Sequence, residues 1–266
     1  MSIAATIGCF TLFWGSLISS PNAMRARALC RKVSRRIGYV FEERLSNQIS
    51  NARLSSPLVV VAYAGSVSEA ESLLDRIEAD SQTLSTRSLI VLATDSHPLV
   101  RAELVVGSKR SHVCSLADPE IEARIFRFTQ TAQRATFLEW LEGDEPSLRA
   151  IRSELMYLLE AQTVSRAREA RRKYLYRRLR RLGFPPPGEL RRLVRLTYAF
   201  WIQEHSNLKL SAVVDLLEFS SMSSFSRAAR RELGRSPTGV VDSGGALRAR
   251  SILTGRVTST RGDQAS

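Results

Sequence analysis

Residues 208–240 read LKLSAVVDLLEFSSMSSFSRAARRELGRSPTGV, and the order of apolar, turn and basic residues within them decides how the carboxy-terminal half folds. Leu210, Val213, Val214, Leu216 and Leu217 recur at helical spacing, with Ser211 where an N-cap is expected. Phe219, Ser220 and Ser221 break that pattern. A second helix is predicted to begin at Ser220 or Ser221, whose hydroxyls can accept from free backbone N–H groups. Its apolar residues are Phe225, Ala229 and Leu233. Its other faces carry Met222, Ser223, Ser226, Arg227, Arg230 and Arg231, a short polar and basic surface of the kind that fits a major groove.

The run Phe219-Ser-Ser-x-Ser-x-Phe225-Ser-Arg227-Ala, followed by Gly234-x-Ser-Pro237, resembles the second helix-turn-helix of AraC/XylS-type bacterial transcription regulators. Glu218 stands where that family usually has the turn glycine, Val214 replaces a small alanine, and Ala229 replaces a phenylalanine. The resemblance implies a carboxy-terminal all-α domain with two helix-turn-helix units. It also implies double-stranded DNA as the partner, with Arg227 and Arg230 in the groove, Met222 and Ser223 near base edges, and Ser226 on the same DNA-binding face. A left-handed turn costs a non-glycine residue roughly 1 kcal/mol, so Glu218 suggests an altered turn at this place.

Working back from this stretch, GELRRLVRLTYAFWIQEHSN from Gly188 places Leu190, Leu193, Val194, Thr197, Trp201 and Ile202 along one side of a long helix. Tyr198, Phe200 and Trp201 read as core residues, and Arg191, Arg192 and Arg195 as candidates for phosphate contact. Before it lies the densest charge in the chain. Arg166, Arg168, Arg171, Arg172, Lys173, Arg177, Arg178, Arg180 and Arg181 face only Glu169, with Leu175, Leu179 and Leu182 as the apolar stripe. KYLYRRLRRLGFPPP, closing at Gly183 and Pro185 to Pro187, resembles the end of the family's first helix-turn-helix. On that resemblance Arg172, Lys173, Arg177 and Arg180 add groove or phosphate contacts. Leu148, Ile151, Leu155, Leu158 and Leu159 mark an earlier amphipathic helix, opened by a cap at Ser147. Homodimerisation through it and packing on its own domain both remain open.

The amino-terminal half has a different grammar. Leu58 to Ala62 and Ser88 to Ala93 are short apolar runs that suit buried strands, and His112 to Leu116 reads as a third. Helices are predicted after a capping box at Ser66 and Glu69, over Pro98 to Val105, and over Pro119 to Trp140. Alternation of this kind implies a parallel sheet. The element order resembles a degenerate receiver-type domain of the flavodoxin-like α/β class, without the acidic pair or lysine that phosphotransfer needs. The chain therefore divides into an apolar and basic leader (1–56), poorly structured or helical, a receiver-like domain (57–143), the helix-turn-helix domain (144–241) and a flexible tail (242–266). In the leader, the apolar run Ile3 to Ile18 precedes the basic cluster Arg25 to Arg36. That order is wrong for a secretory signal, and the run is short for a membrane span of about 20 residues.

A net charge of +13 on 266 residues favours a polyanionic partner, either nucleic acid or an acidic membrane surface. Cys9, Cys30 and Cys114 lack metal spacing and read as reduced thiols of a cytoplasmic protein. His97, His112 and His205 are scattered, and no Gly-rich phosphate loop is present, so neither an enzyme nor a metal or cofactor site is indicated. The expectation is a DNA-binding transcription regulator. The competing one is a basic interaction protein held at a membrane surface or on an acidic partner.

Overall fold

The computed structural model describes residues 9–14, 21–45, 58–64, 88–93, 111–160 and 167–262, with side-chain surroundings for 21–43, 116–160 and 173–257. The chain divides into two compact units, one of residues 1–136 with 205–207 and one of residues 137–204 with 208–266.

In the first unit β1 (Cys9–Trp14), β2 (Val40–Leu45), β3 (Leu58–Ala64), β4 (Ser88–Ala93) and β5 (Ser111–Ser115) pair in parallel, in the order β2-β1-β3-β4-β5. Cys9 stands opposite Val40 on one side and Leu58 on the other, so β1 is an inner strand. The intervening helix α1 (Pro21–Ile37) carries a stripe of buried residues: Ala23, Ala26, Cys30, Val33 and Ile37. Charges occupy its other side. Arg27 and Arg31 reach Glu43 at 2.8 and 2.9 Å, and Lys32 reaches Glu122 at 2.7 Å. Burial, and next the charge of Glu43, push the Cys30 thiol up, so it stays protonated.

Two sequence expectations are corrected here. Residues 1–56 are not merely a leader, because they supply β1, α1 and β2. The alternation of arginine with small apolar residues hid a helical stripe, since alanine and cysteine suffice where a helix lies close to its neighbours. The expected flavodoxin-like α/β domain of degenerate receiver type, confined to 57–143, is likewise overturned. Helix takes 78% of the residues whose side-chain surroundings are described, and strand only Val40 to Glu43, so these side chains do not build such a domain. The helices predicted after Ser66 and over Pro98 to Val105 lie outside the described residues.

Helix α2 (Ile121–Glu142) begins in the first unit and ends in the second. The second unit then has α3 (Pro146–Ala150), α4 (Arg152–Glu160), α5 (Ala167–Arg181), α6 (Pro187–His205), α7 (Leu210–Leu216), α8 (Met222–Leu233), α9 (Pro237–Asp242) and α10 (Gly245–Gly262). Its centre is α6, where every residue from Leu196 to Ile202 is buried. The sequence marked one apolar side. Burial instead runs all round, so other elements must cover every face. Phe137 lies 4.7 Å from Tyr198 and 5.7 Å from Trp201 between ring centroids, which fixes the end of α2 against α6.

The stripe Leu148, Ile151, Leu155, Leu158 and Leu159 belongs to this same core. The helix carrying it breaks at Ile151 into α3 and α4, and the N-cap position of α3 is Glu145, not Ser147, with no side-chain cap hydrogen bond and Pro146 in the first turn. The tail expected to be flexible forms α10 instead. Ala246, Ala249, Leu253 and Val257 are buried at helical spacing, and Glu204 accepts from the Ala246 N–H at 2.7 Å. Arg250 donates to the Leu141 carbonyl at 3.0 Å.

Phe137 is fully buried, so Phe137→Ala is expected to destabilise the second unit by about 3–5 kcal/mol. The urea midpoint followed by tryptophan fluorescence measures this, and a loss below about 1 kcal/mol would mean that the ring is not part of a packed core.

Candidate nucleic-acid interface

The two helix ends that frame α6 close in the same way. At the end of α5 the Phe184 N–H donates to the Leu179 carbonyl at 2.9 Å and the Gly183 N–H to Arg180 at 3.1 Å, with Gly183 at φ 71°. At the end of α7 the Phe219 N–H donates to Val214 at 3.0 Å and the Glu218 N–H to Asp215 at 2.9 Å, with Glu218 at φ 54°. Both are Schellman motifs, which need a residue in the left-handed region just past the helix. Glycine meets that need at Gly183. At the second turn a glutamate meets it, and among the described residues Glu218 is the only non-glycine with positive φ.

Arg195 of α6 stabilises this strained turn. Its guanidinium donates to the Leu217 carbonyl and lies 4.5 Å from the centroid of the Phe219 ring. Burial lowers its pKa, the Arg191 charge lowers it further, and Glu218 opposes both. Phe219 in turn meets Phe225 edge-on at 5.1 Å, and Phe225 reaches Phe200 at 5.8 Å. The turn is thus fastened to α6 by a cation and an aromatic chain.

Helix α8 starts sharply after the turn. Ser221 is its N-cap, its side chain accepts from the Ser224 N–H at 3.1 Å, and the Ser224 hydroxyl accepts from the Ser221 N–H at 3.2 Å. This is a reciprocal capping box built from two serines. The start matches the sequence expectation of Ser220 or Ser221. That for α7 does not, since its N-cap is Lys209 and not Ser211. Phe225, Ala229, Glu232 and Leu233 face inward. Met222, Ser223, Arg227 and Arg230 are exposed and Ser226 is partly so, which gathers the five residues marked from sequence on the outward side of one helix.

Charge pairing then separates the arginines. Glu232, buried at the base of α8, binds Arg192 at 2.6 Å and Arg231 at 2.9 Å, and its backbone carbonyl accepts from Arg256 at 3.3 Å. Arg256 also reaches Glu189 at 2.5 Å. Burial pushes the Glu232 carboxyl up, but hydrogen bonds from Arg192 and Arg231 outweigh it and hold the group below the usual carboxylate range. Arg192 and Arg195, marked as phosphate candidates, are therefore structural groups. Arg227 and Arg230 make no ion pair among the described residues.

On α5 the expected set does not act as one surface. The side chain of Arg172 lies outside the described residues, and Arg180 is exposed. Lys173 and Arg177 instead line a groove with Arg181, which the sequence reading did not single out. Arg178 is anchored to Glu154 at 2.7 Å. Four-residue spacing of Lys173, Arg177 and Arg181 was the available signal for the groove, obscured by the arginines between them.

Among the described residues no helix is long and apolar enough to cross a membrane, and no group of three or more His, Cys, Asp or Glu converges as a metal site. No family model, curated protein or solved structure matches the chain.

Two outcomes are expected. Glu218→Gly should raise stability by about 1 kcal/mol in urea unfolding, because it relieves the left-handed strain and keeps both turn hydrogen bonds. A loss would show that the Glu218 side chain matters more than its backbone. Glu232 has its folded pKa below its ordinary value of 4.5, so its stabilisation is present above that pH and fades as pH falls through the folded value. Glu232→Gln should accordingly cost about 1.5–3 kcal/mol at neutral pH, with the gap to the unaltered chain narrowing in acid below about pH 4.5.

Proposed function

We propose that this chain is a sequence-specific, DNA-binding transcription regulator of the AraC/XylS type, working in the cytoplasm. The observation that carries this reading is the α7–α8 pair. A left-handed turn at Glu218, fastened by Arg195, leads into a sharply capped helix whose outward side holds two arginines that make no ion pair among the described residues.

In this reading α8 enters the major groove. Arg227 and Arg230 supply forked donors that suit the O6 and N7 acceptors of guanine, while Ser223 and Ser226 accept or donate as the base edge requires. Met222, 40% exposed at the first helical position, offers an apolar contact of the kind a thymine methyl group favours. Arg180, exposed on α5, strengthens attraction to phosphates and makes binding salt-dependent. The chain's charge of +13 acts in the same direction.

Genome-wide capture of bound DNA tests this directly, with a shared sequence under the peaks as the expected result. A flat, salt-sensitive profile would leave only nonspecific attraction. Arg227→Ala should weaken binding to the recovered site by about 1–3 kcal/mol and relax preference at one base position, whereas Arg180→Ala should weaken all sequences alike. Unchanged preference in the Arg227 variant would overturn its role as a base reader.

A further inference from the structure

We propose that the groove beside α5 is a second binding site, separate from α8, for a small phosphorylated ligand of the nucleotide class. The groove encloses about 620 Å³, within the range of small-molecule sites. Lys173, Arg177 and Arg181 line it at successive four-residue steps, which places them in one row along the helix. Ala150 and Leu182 form its apolar part, and no carboxylate lines it. Arg177 and Arg181 make no ion pair among the described residues.

The remaining wall is preorganised. Arg178 is ion-paired with Glu154 at 2.7 Å, and its two terminal nitrogens donate to the Ala150 carbonyl at 3.3 Å and to the Tyr174 hydroxyl at 3.2 Å. Glu154 is thus committed to Arg178. The same hydrogen bond orients the Tyr174 ring, which is nevertheless 57% exposed. An oriented, open aromatic face beside a row of cations is suited to a base stacked next to linked phosphates. Like charges at four-residue spacing repel one another, and a bound di- or triphosphate relieves that repulsion. Phosphates of duplex DNA share this chemistry, whereas a free nucleotide is small enough to lie within a groove of about 620 Å³.

Calorimetric titration of the full chain with ATP and with inorganic pyrophosphate, in about 150 mM salt, tests the site. Saturable one-to-one binding of both is expected, with ATP the tighter. Arg177→Gln combined with Arg181→Gln should weaken both ligands about tenfold or more. Tyr174→Ala should weaken ATP and leave pyrophosphate unchanged, and Arg248→Gln, at an exposed arginine of α10, should change neither. Arg227→Ala should retain ATP binding while altering DNA preference, so this site and the DNA reading can fail separately. Linear titrations, or equal losses in the Arg248 variant, would overturn the proposal. So would absence of ATP binding while the Arg177 and Arg181 pair still weakens duplex binding, which would assign the groove to the DNA backbone.

Discussion

A helix that is apolar on every side must be covered on every side, and α6 imposes that constraint on the second unit. Seven consecutive buried residues, Leu196 to Ile202, span almost two full turns. The end of α2 covers it through Phe137, and α8 covers it through Phe225. Once Phe225 is seated against Phe200, the rotation of α8 about its own axis is fixed. Ala229 and Leu233 follow it inward, and Arg227 and Arg230 are left outward. The candidate interface is the residue of a packing problem solved on the opposite face.

Electrostatics finishes what packing begins. A chain with 39 basic and 26 acidic side chains has many arginines that cannot all be paired, and the few buried acids decide which are. Glu232 takes Arg192 and Arg231, Glu189 takes Arg256, and Glu154 takes Arg178. The pairs Glu232–Arg192, Glu189–Arg256 and Glu154–Arg178 each join two helices, with the carboxylate more buried than the guanidinium, whereas Arg231 is the chain neighbour of Glu232 on α8. Among the described residues Arg227 and Arg230 on α8 and Arg177 and Arg181 on α5 make no ion pair, so they are among the cations left with charge to offer another molecule.

Legibility followed the range of the interaction. Strands at Leu58, Ser88 and His112 were readable because continuous β-branched or apolar runs carry their own signal. The strand at Cys9 and the helix at Pro21 were not, since the same residues read equally as a leader until the neighbouring strands are present to pair with. Helix α10 was missed for a related reason. Ala246, Ala249, Leu253 and Val257 form a thin stripe among polar residues, and only close approach to the rest of the unit makes so little apolar surface sufficient.

The sequence alone determined the local features of residues 208–240: two helices, an interruption between them at Phe219 to Ser221, and a serine-capped start at Ser220 or Ser221. Those depend on contacts within about five residues, which spacing and side-chain chemistry specify directly. Tertiary structure alone decided which arginines are structural and which make no ion pair among the described residues. Arg192 and Arg195 look like Arg227 and Arg230 in the sequence. Their long side chains choose among partners brought near by folding, and Glu232, the Leu217 carbonyl and the Phe219 ring are neighbours only after α6 and α8 have packed.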